Sequence, residues 1–516
     1  MTAIAPHASS PAARPSRSLA VVVALGLVIV VALVVGSAAA HEPLLALVGV
    51  VGLLATVIVA GRPEAATLIV VGLIYSNAPT VLVSFHGLPL VIGGVVPLVL
   101  AAPLAYDVLV RRQPIVVTPA MPWIAMYLVV QIASTIASRN TADAAAALGS
   151  FAIEGLGLYI LVVNTFRSPE ILRAVIWVLL IVGAVLGALS LFQQLTESYS
   201  NAYFGFAQTQ ASETGVADTG LARLAGPIGE KNRYAQIMLM LLPLGIMQFS
   251  SERNRWLKAA ALGSAGLAAI ATALTFSRGA ALAAGIIVLV MIALRYIRVS
   301  HVLAAIGLIA VVFIAVPQYG ERVTSVAGIL SLLSDEPGGT AADNSLLSRA
   351  TENLSALSVW ADHPLVGVGP GEFPAYYRDY ADEIGISVRA QDREAHNLYL
   401  GIAAEAGALG LTAFLGAVIA TLWQLARARR NALPTRPDLA AMATGFLLAL
   451  VGYLASGLFL HLSYARYYWL MLALAGAAAV VINNVVGDPA SRLGGRVRVG
   501  AAGSTAAASD RSEGAG

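Results

Sequence analysis

The sequence contains no cysteine, only two lysines and few charged residues of either sign. Without cysteine the chain cannot form disulfides, thiolate metal sites or a cysteine nucleophile. Charged residues make up 11% and hydrophobic residues 58% of its 516 residues, whereas a soluble domain carries about 25% charged residues. The composition therefore excludes an ordinary soluble domain and predicts a polytopic membrane protein. The formal net charge of +3 gives no reason to propose nucleic acid as a partner.

Apolar runs long enough to cross a bilayer recur along the whole chain. A span needs about 20 mainly apolar residues, and this rule predicts an all-α membrane helix bundle of about 12–14 spans. The run from Leu19 to Ala40 follows Arg14 and Arg17 and is too long for a signal peptide, so it predicts a retained first span. The predicted spans start near Leu19, Leu44, Ala65, Leu88, Val117, Ala144, Ile171, Tyr234, Ala259, Gly279, His301, Asn397, Leu439 and Ala465.

Arginines are concentrated in alternate connections between these runs. Cations are enriched in cytoplasmic connections, and every connection fits one parity, which predicts that both termini are cytoplasmic. Two long segments, 193–233 and 318–396, then lie outside. The first part of the second segment contains Gly338, Gly339, Asp343 and Asn344, a composition that predicts flexibility. Its later part, from Leu346, is predicted to form short helices. The predicted organisation is a cytoplasmic tail over 1–18, a bundle over 19–317 with an outer loop over 193–233, a large extracytoplasmic catalytic loop over 318–396, further spans over 397–486, and a disordered cytoplasmic tail over 487–516.

The segment R-L-A-G-P-I-G-E-K-N-R-Y-A places three cations beside glycines just before a span. They are Arg223, Lys231 and Arg233. Glycine lets a backbone approach a ligand closely, and the arginine fork matches phosphate oxygens. These residues are candidates for binding a phosphate group, and a soluble loop with a few charges is the alternative interpretation.

A further cation, Arg278, lies in a second segment, L-T-F-S-R-G-A-A-L, which joins two apolar runs with almost no loop. The short turn predicts that Arg278 lies at the membrane boundary or slightly inside it. An ionisable group in that position is costly and suggests a function. The alternative is an arginine whose head group reaches the lipid head groups.

A histidine, His396, stands where an apolar helix is predicted to begin, in E-A-H-N-L-Y-L. Histidine can act as a general base near neutral pH, and Glu394 or Asp392 could orient its ring. The alternative is an interfacial histidine. Glu405 in the same span is expected to face a partner arginine or a polar cavity, and Glu154 inside its own span raises the same question with weaker support.

Together these residues predict one reaction site on the outer side of the bilayer. The arginines suit a pyrophosphate, and the imidazole suits removal of a proton from a sugar hydroxyl. The chain has no D-x-D or H-E-x-x-H motif for a metal, so arginines would neutralise the developing charge. The expected chemistry is group transfer from a lipid pyrophosphate, without a metal or other cofactor.

At these residues the chain resembles the bacterial O-antigen ligase and O-antigen polymerase superfamily. The resemblance rests on four pieces in order: R-L-A-G-P-I-G-E-K-N-R-Y-A, L-T-F-S-R-G-A-A-L, H-P-L-V-G-V-G-P-G-E-F and A-H-N-L-Y-L-G-I-A-A-E-A-G-A-L-G. It implies a metal-independent inverting glycosyltransferase with a GT-C-type membrane fold. Such an enzyme passes a glycan from undecaprenyl pyrophosphate to an acceptor hydroxyl on the outer face of the inner membrane.

The resemblance also implies roles for individual residues. Arg223 and Arg278 would bind the pyrophosphate, and His396 would be the base. The family often has N-P-N where this chain has Glu230-Lys231-Asn232, and Lys231 is either a further phosphate contact or a local substitution.

Three alternative functions remain open at this point. A polymerase of the same superfamily would use a second polyprenyl-linked glycan as acceptor. A transporter or flippase of lipid-linked glycans would favour several charges deep in many spans, and few are present. A metal-dependent GT-C enzyme with polyprenyl monophosphate donors usually relies on an acidic residue in the first outer loop, where only Glu42 is available.

Overall fold

The computed structural model describes residues 63–87, 112–210, 223–298, 341–386, 393–462 and 465–487, together with residues 104, 108 and 300. These segments are almost entirely helical. The helices before the large loop are α1 Pro63–Tyr75, α2 Ala78–Ser84, α3 Met121–Ala137, α4 Thr141–Ser150, a π-helical segment Phe151–Gly157, α5 Leu158–Thr165, α6 Pro169–Leu195, α7 Lys231–Ser251, α8 Arg255–Leu274 and α9 Arg278–Ala293. The later helices are α10 Ala341–Asp362, α11 Phe373–Ile384, α12 Leu398–Ala432, α13 Pro437–Ser456 and α14 Ala465–Gly487.

Seven helical stretches in the described part of the chain are long and apolar enough to cross a membrane, or eight if the bent pair α1–α2 counts as one span. This confirms the predicted all-α membrane bundle. The shorter helices α3 and α9 are also apolar. The predicted spans that start near Leu19, Leu44, Leu88 and His301 lie outside the described residues.

The most buried helices, α7, α13 and α14, form the centre of the bundle. In lipid, helices gain little from hiding apolar side chains from each other, so close packing through small residues holds them together. Gly445 of α13 packs on Leu244 of α7, and Gly452 packs on Ile287 of α9. In α14 the run Ala475–Ala479 is buried.

Polar contacts divide the helix ends into two groups. At one end, Arg173 at the start of α6 contacts Glu252 at the end of α7 at 2.5 Å, and Arg429 near the end of α12 donates to Thr444 of α13. The opposite ends carry the start of α12, the end of α13 and the α8–α9 junction. Since the helices alternate in direction, the described parts of the two long segments predicted to be extracytoplasmic lie at this second end, which we call the site end.

The connections at the site end differ in detail from the prediction. The loop after α6 contains a short antiparallel pair, β1 Gln208–Gln210 and β2 Arg223–Gly226, in which Gln210 lies opposite Arg223. The large loop contains one 22-residue helix, α10, rather than only short ones. Asp343 and Asn344, predicted to be flexible, belong to this helix.

Candidate active site

His396 lies directly before the residue that caps α12. The side chain of Asn397 accepts the backbone N–H groups of Tyr399 and Leu400 at 2.9 and 3.2 Å, so it fixes the start of the helix. Nδ1 of His396 lies 2.6 Å from Oε2 of Glu352 in α10. The Glu352 side chain is 3% exposed and that of His396 is 24% exposed. Glu352 is therefore the ion-pair partner on the Nδ1 side of the ring, although this contact lacks hydrogen-bond geometry. Nε2 is left as the ring nitrogen that can exchange a proton with a bound molecule.

Of the two carboxylates predicted to orient the ring, Glu394 does not make this contact. The carboxylate of Glu352 contacts the ring across the α10–α12 interface. Glu394 interacts with His396 through its charge, without such a contact. Asp392 lies outside the described residues. The carboxylate that contacts the ring is thus Glu352 rather than the predicted Glu394.

Arg278 is the first residue of α9. Ser277 caps this helix, and its side chain accepts the N–H of Ala280. The backbone of Phe276 turns through a positive φ of 52°, and the hydroxyl of Thr275 accepts the N–H of Ser277. This tight turn places the guanidinium and the positive end of the helix dipole together at the site end, an arrangement that favours anions.

The turn Gly457–Phe459 brings Arg278 and His396 to one place. A Cβ on Gly279, the neighbour of Arg278, would lie 3.0 Å from Cβ of Phe459. On the other side, Asn397 donates to the carbonyl of Leu458 at 3.3 Å. The residues next to Arg278 and His396 therefore pack on the same three-residue turn, although 118 positions separate the two side chains in the sequence.

Arg349 joins these two groups from α10. Burial lowers the pKa of its guanidinium. The charge of Glu352, and to a smaller extent that of Glu230, raises this pKa, whereas the charge of Arg278 lowers it further. Arg349 and Glu352 are three residues apart and so share one face of the helix. Two guanidinium groups thus lie near each other in a partly buried place, which is costly unless an anion or nearby carboxylates balance them.

A second cluster surrounds His396 on its other side. The ring of His461 is perpendicular to that of His396, with centroids 6.1 Å apart. Burial lowers the pKa of His461, and the charges of Arg233 and His396 lower it further. Burial raises the pKa of Glu394, while Arg233 and His396 oppose that shift. Arg233 therefore lies near Glu394 and His461, and both of these residues also lie near His396.

The other two predicted phosphate-binding residues lie on the β1–β2 side of the site end. Arg223 opens β2 opposite Gln210. Lys231 is the first residue of α7, and its N–H donates to Oε1 of Gln210 at 3.2 Å. Lys231 and Arg233 thus belong to the first turn of α7 rather than to the loop before it. Glu230 caps that helix by accepting the N–H groups of Asn232 and Arg233.

Glu405 contacts backbone amides rather than an arginine. Its carboxylate accepts hydrogen bonds from the N–H groups of Gly371 and Phe373, at the start of α11. Its carbonyl accepts from Gly369 at 3.0 Å and from the Ser134 hydroxyl at 2.7 Å. Of the two expected surroundings, a partner arginine or a polar cavity, the described part of the chain shows neither as its hydrogen-bonding partner: a helix N-terminus, whose unpaired N–H groups attract a carboxylate, takes that place.

The same region explains why two of the motif pieces occur together. Gly407 breaks α12 with φ 65° and ψ −169°. The loop 364–369 fills the break, since Val368 donates to Ala404 and Ala408 donates to Pro364. A Cβ on Gly367 or Gly407 would overlap the backbone of the other segment. The large loop is thus fastened to α12 a short distance after His396.

A further network at the site end involves Glu154 and the break between α1 and α2. Nη1 of Arg466 lies 3.8 Å from Oε1 of Glu154, and Nη2 donates to Asn77 and Thr80 at 2.6 and 2.7 Å. Asn77 in turn donates to the carbonyl of Pro227 at 2.8 Å. Glu154 therefore helps to position the segment that leads into α7.

Three residues at this site were not predicted from the sequence: Arg349, Glu352 and His461. The first two had one detectable signal, since S-R-A-T-E at helical spacing puts a cation and an anion on one face of α10. His461 had none, because its connection contains only a few polar residues between two spans.

Comparison with known protein families gives a match over part of the chain. Residues 263–415 match the family described as O-Antigen ligase. The matched range contains Arg278, Arg349, Glu352 and His396, whereas Arg223 and His461 lie outside it. No curated protein matches the chain. Among the residues that the structure describes, no three histidine, aspartate or glutamate side chains are grouped to hold a metal ion.

Proposed function

Because residues 263–415 match the O-Antigen ligase family, we propose that the chain is a member of this superfamily and transfers a glycan from undecaprenyl (polyprenyl) pyrophosphate to an acceptor sugar hydroxyl. The reaction takes place on the extracytoplasmic face of the inner membrane, and both termini are cytoplasmic. The alternation of helix ends and the arginines at the end opposite the site support this orientation.

One observation carries the proposal: two arginines and a carboxylate-bound histidine converge around one turn at one end of the bundle. Arg278 and His396 have neighbours on the turn Gly457–Phe459. Arg349 is close to Arg278, and Glu352 is close to both Arg349 and His396. Cationic forks next to a base are what attack on a sugar pyrophosphate requires.

In this mechanism His396 is the general base. The acceptor oxygen attacks the anomeric carbon and forms the new glycosidic bond as the bond to the pyrophosphate oxygen breaks, with inversion. The hydroxyl proton moves to Nε2 of His396, and Glu352 stabilises the resulting imidazolium. The electron pair leaves with the polyprenyl pyrophosphate, whose added negative charge the arginines neutralise.

The cations divide into contacts of two kinds. Arg278 and Arg349 hold the pyrophosphate from opposite elements, α9 and α10. Arg223, Lys231 and Arg233 extend this positive surface toward β2 and the start of α7. Glu405 acts indirectly in our proposal, because its contacts at the start of α11 anchor the large loop, and Glu394 adjusts the charge around His396.

A transfer assay tests the proposal. Purified protein in proteoliposomes is mixed with an undecaprenyl-pyrophosphate glycan and an acceptor glycolipid, both extracted from the source envelope. We expect a glycosylated acceptor and an equal amount of undecaprenyl pyrophosphate, formed equally in EDTA. His396→Ala should abolish the product while the protein still inserts. Full activity of that variant would contradict the assignment of the base.

The same assay separates the alternatives. A polymerase produces chain-length ladders on the lipid carrier, whereas a ligase makes a single transfer to a terminal acceptor. A flippase moves the donor and leaves its glycosidic linkage unchanged. Arg278→Lys should also fail, because a point charge cannot replace the arginine fork on a phosphate; unchanged binding of undecaprenyl pyrophosphate by that variant would contradict the role of Arg278.

A further inference from the structure

His461 lies at the centre of the site but has no part in the mechanism above. It follows the turn Gly457–Phe459 by two residues. This turn separates the start of α9 from the start of α12. His461 therefore follows the turn on which the residues next to Arg278 and His396 pack, and its ring lies beside that of His396.

The two imidazole rings fit one oxygen atom. Their centroids are 6.1 Å apart and their planes are at 89°. An oxygen hydrogen-bonded to a ring nitrogen lies about 4 Å from the ring centroid, so one oxygen reaches both rings at an angle of about 100°. Nδ1 of His396 contacts Glu352, which leaves its Nε2 for this oxygen.

The second ring has an unused polar atom at this position. Nδ1 of His461 is buried and has no hydrogen-bond partner among the described residues. A buried polar atom without a partner costs about 1–3 kcal/mol. Burial and the nearby charges of Arg233 and His396 lower the pKa of His461, so the ring offers one donor and one acceptor rather than a charge. A neutral imidazole suits a hydroxyl better than a phosphate.

We propose that His461 binds the acceptor: the attacking hydroxyl donates to His396, and its oxygen accepts a hydrogen bond from His461. This inference rests on the proposed transfer function. It assigns the two sides of the site to different substrates, with Arg278 and Arg349 on the donor and His461 on the acceptor.

The test measures the two substrates separately. The transfer assay gives the acceptor KM, and native mass spectrometry measures the binding of undecaprenyl pyrophosphate. Both measurements are made on wild type, on His461→Ala and His461→Asn, and on the control His363→Ala. His461→Ala should raise acceptor KM about tenfold or more, the value of one hydrogen bond, and leave undecaprenyl pyrophosphate binding unchanged. His461→Asn, whose amide can replace Nδ1, should recover part of the loss, and His363→Ala should resemble wild type.

Two results would overturn the inference. One is wild-type acceptor KM in a folded His461→Ala protein. The other is parallel loss of undecaprenyl pyrophosphate binding, acceptor affinity and thermal stability in both variants, which is the pattern of a purely structural residue. Absence of transfer by the wild-type protein would instead remove the proposed function itself, so the two failures are distinct.

Discussion

Replacing Glu352 by glutamine tests the pair on which the mechanism depends. The substitution keeps the size of the side chain and removes the charge that contacts Nδ1 of His396 at 2.6 Å. Removing the charge of one partner of a buried ion pair costs at least about 1.5–3 kcal/mol, and Glu352 is 3% exposed, so solvent screens the pair little. At about 1.4 kcal/mol per tenfold change, we expect the transfer rate at saturating donor to fall about 10- to 150-fold.

The assay is the initial rate of glycan transfer in proteoliposomes, with undecaprenyl pyrophosphate binding as a second measurement. Asp362→Asn is the matched control, because this carboxylate lies on the same helix and accepts a hydrogen bond from Tyr380 at 2.8 Å. It should retain the wild-type rate. The reasoning is refuted if Glu352→Gln transfers within about twofold of wild type while His396→Ala is inactive.

Three further predictions follow from the same contacts. Arg349→Lys should weaken binding of undecaprenyl pyrophosphate about tenfold, because it removes one of two forks, and Arg378→Lys on the exposed side of α11 should leave binding unchanged in the same titration. Gly407→Ala should lower the free energy of unfolding by about 2 kcal/mol or more, since a positive φ and the docked loop exclude a Cβ. The control is Gly401→Ala, where a Cβ has ordinary space, and both variants are measured by denaturation followed by tryptophan fluorescence. Equal stability of the two variants would be inconsistent with the docking. Burial lowers the pKa of His461 in the folded chain. Below the pKa of about 6.5 that the residue has in the unfolded chain, the unfolded chain therefore binds a proton that the folded chain does not. Wild type should lose more stability than His461→Gln as the pH falls from 7 to 5, and identical pH profiles of stability would contradict this.

Local signals account for the parts of the site that could be predicted. The S-R-G turn has too few residues to move Arg278 away from the helix start, and Asn397 is a good cap that fixes the position of His396. Both features depend on neighbouring residues alone. The bundle itself follows from the recurrence of apolar runs and the low charge, because the bilayer permits few other structures.

The parts that were missed depend on contacts between distant segments. Glu352 and His396 meet only because α10 docks on α12, and no spacing rule connects positions 44 residues apart. Glu405 was expected to face an arginine or a polar cavity, but backbone N–H groups at the start of α11 donate to its carboxylate, and backbone donors leave no residue signature. The glycines that permit the loop to fill the α12 break were visible, but their partners were not.

A cryo-EM structure with bound undecaprenyl pyrophosphate tests the central claim most directly. We predict phosphate oxygens within about 3 Å of the guanidinium nitrogens of both Arg278 and Arg349, with the sugar-bearing phosphate on the side of His396. Pyrophosphate bound at the opposite end of the bundle, or at the site end away from both arginines, would contradict it.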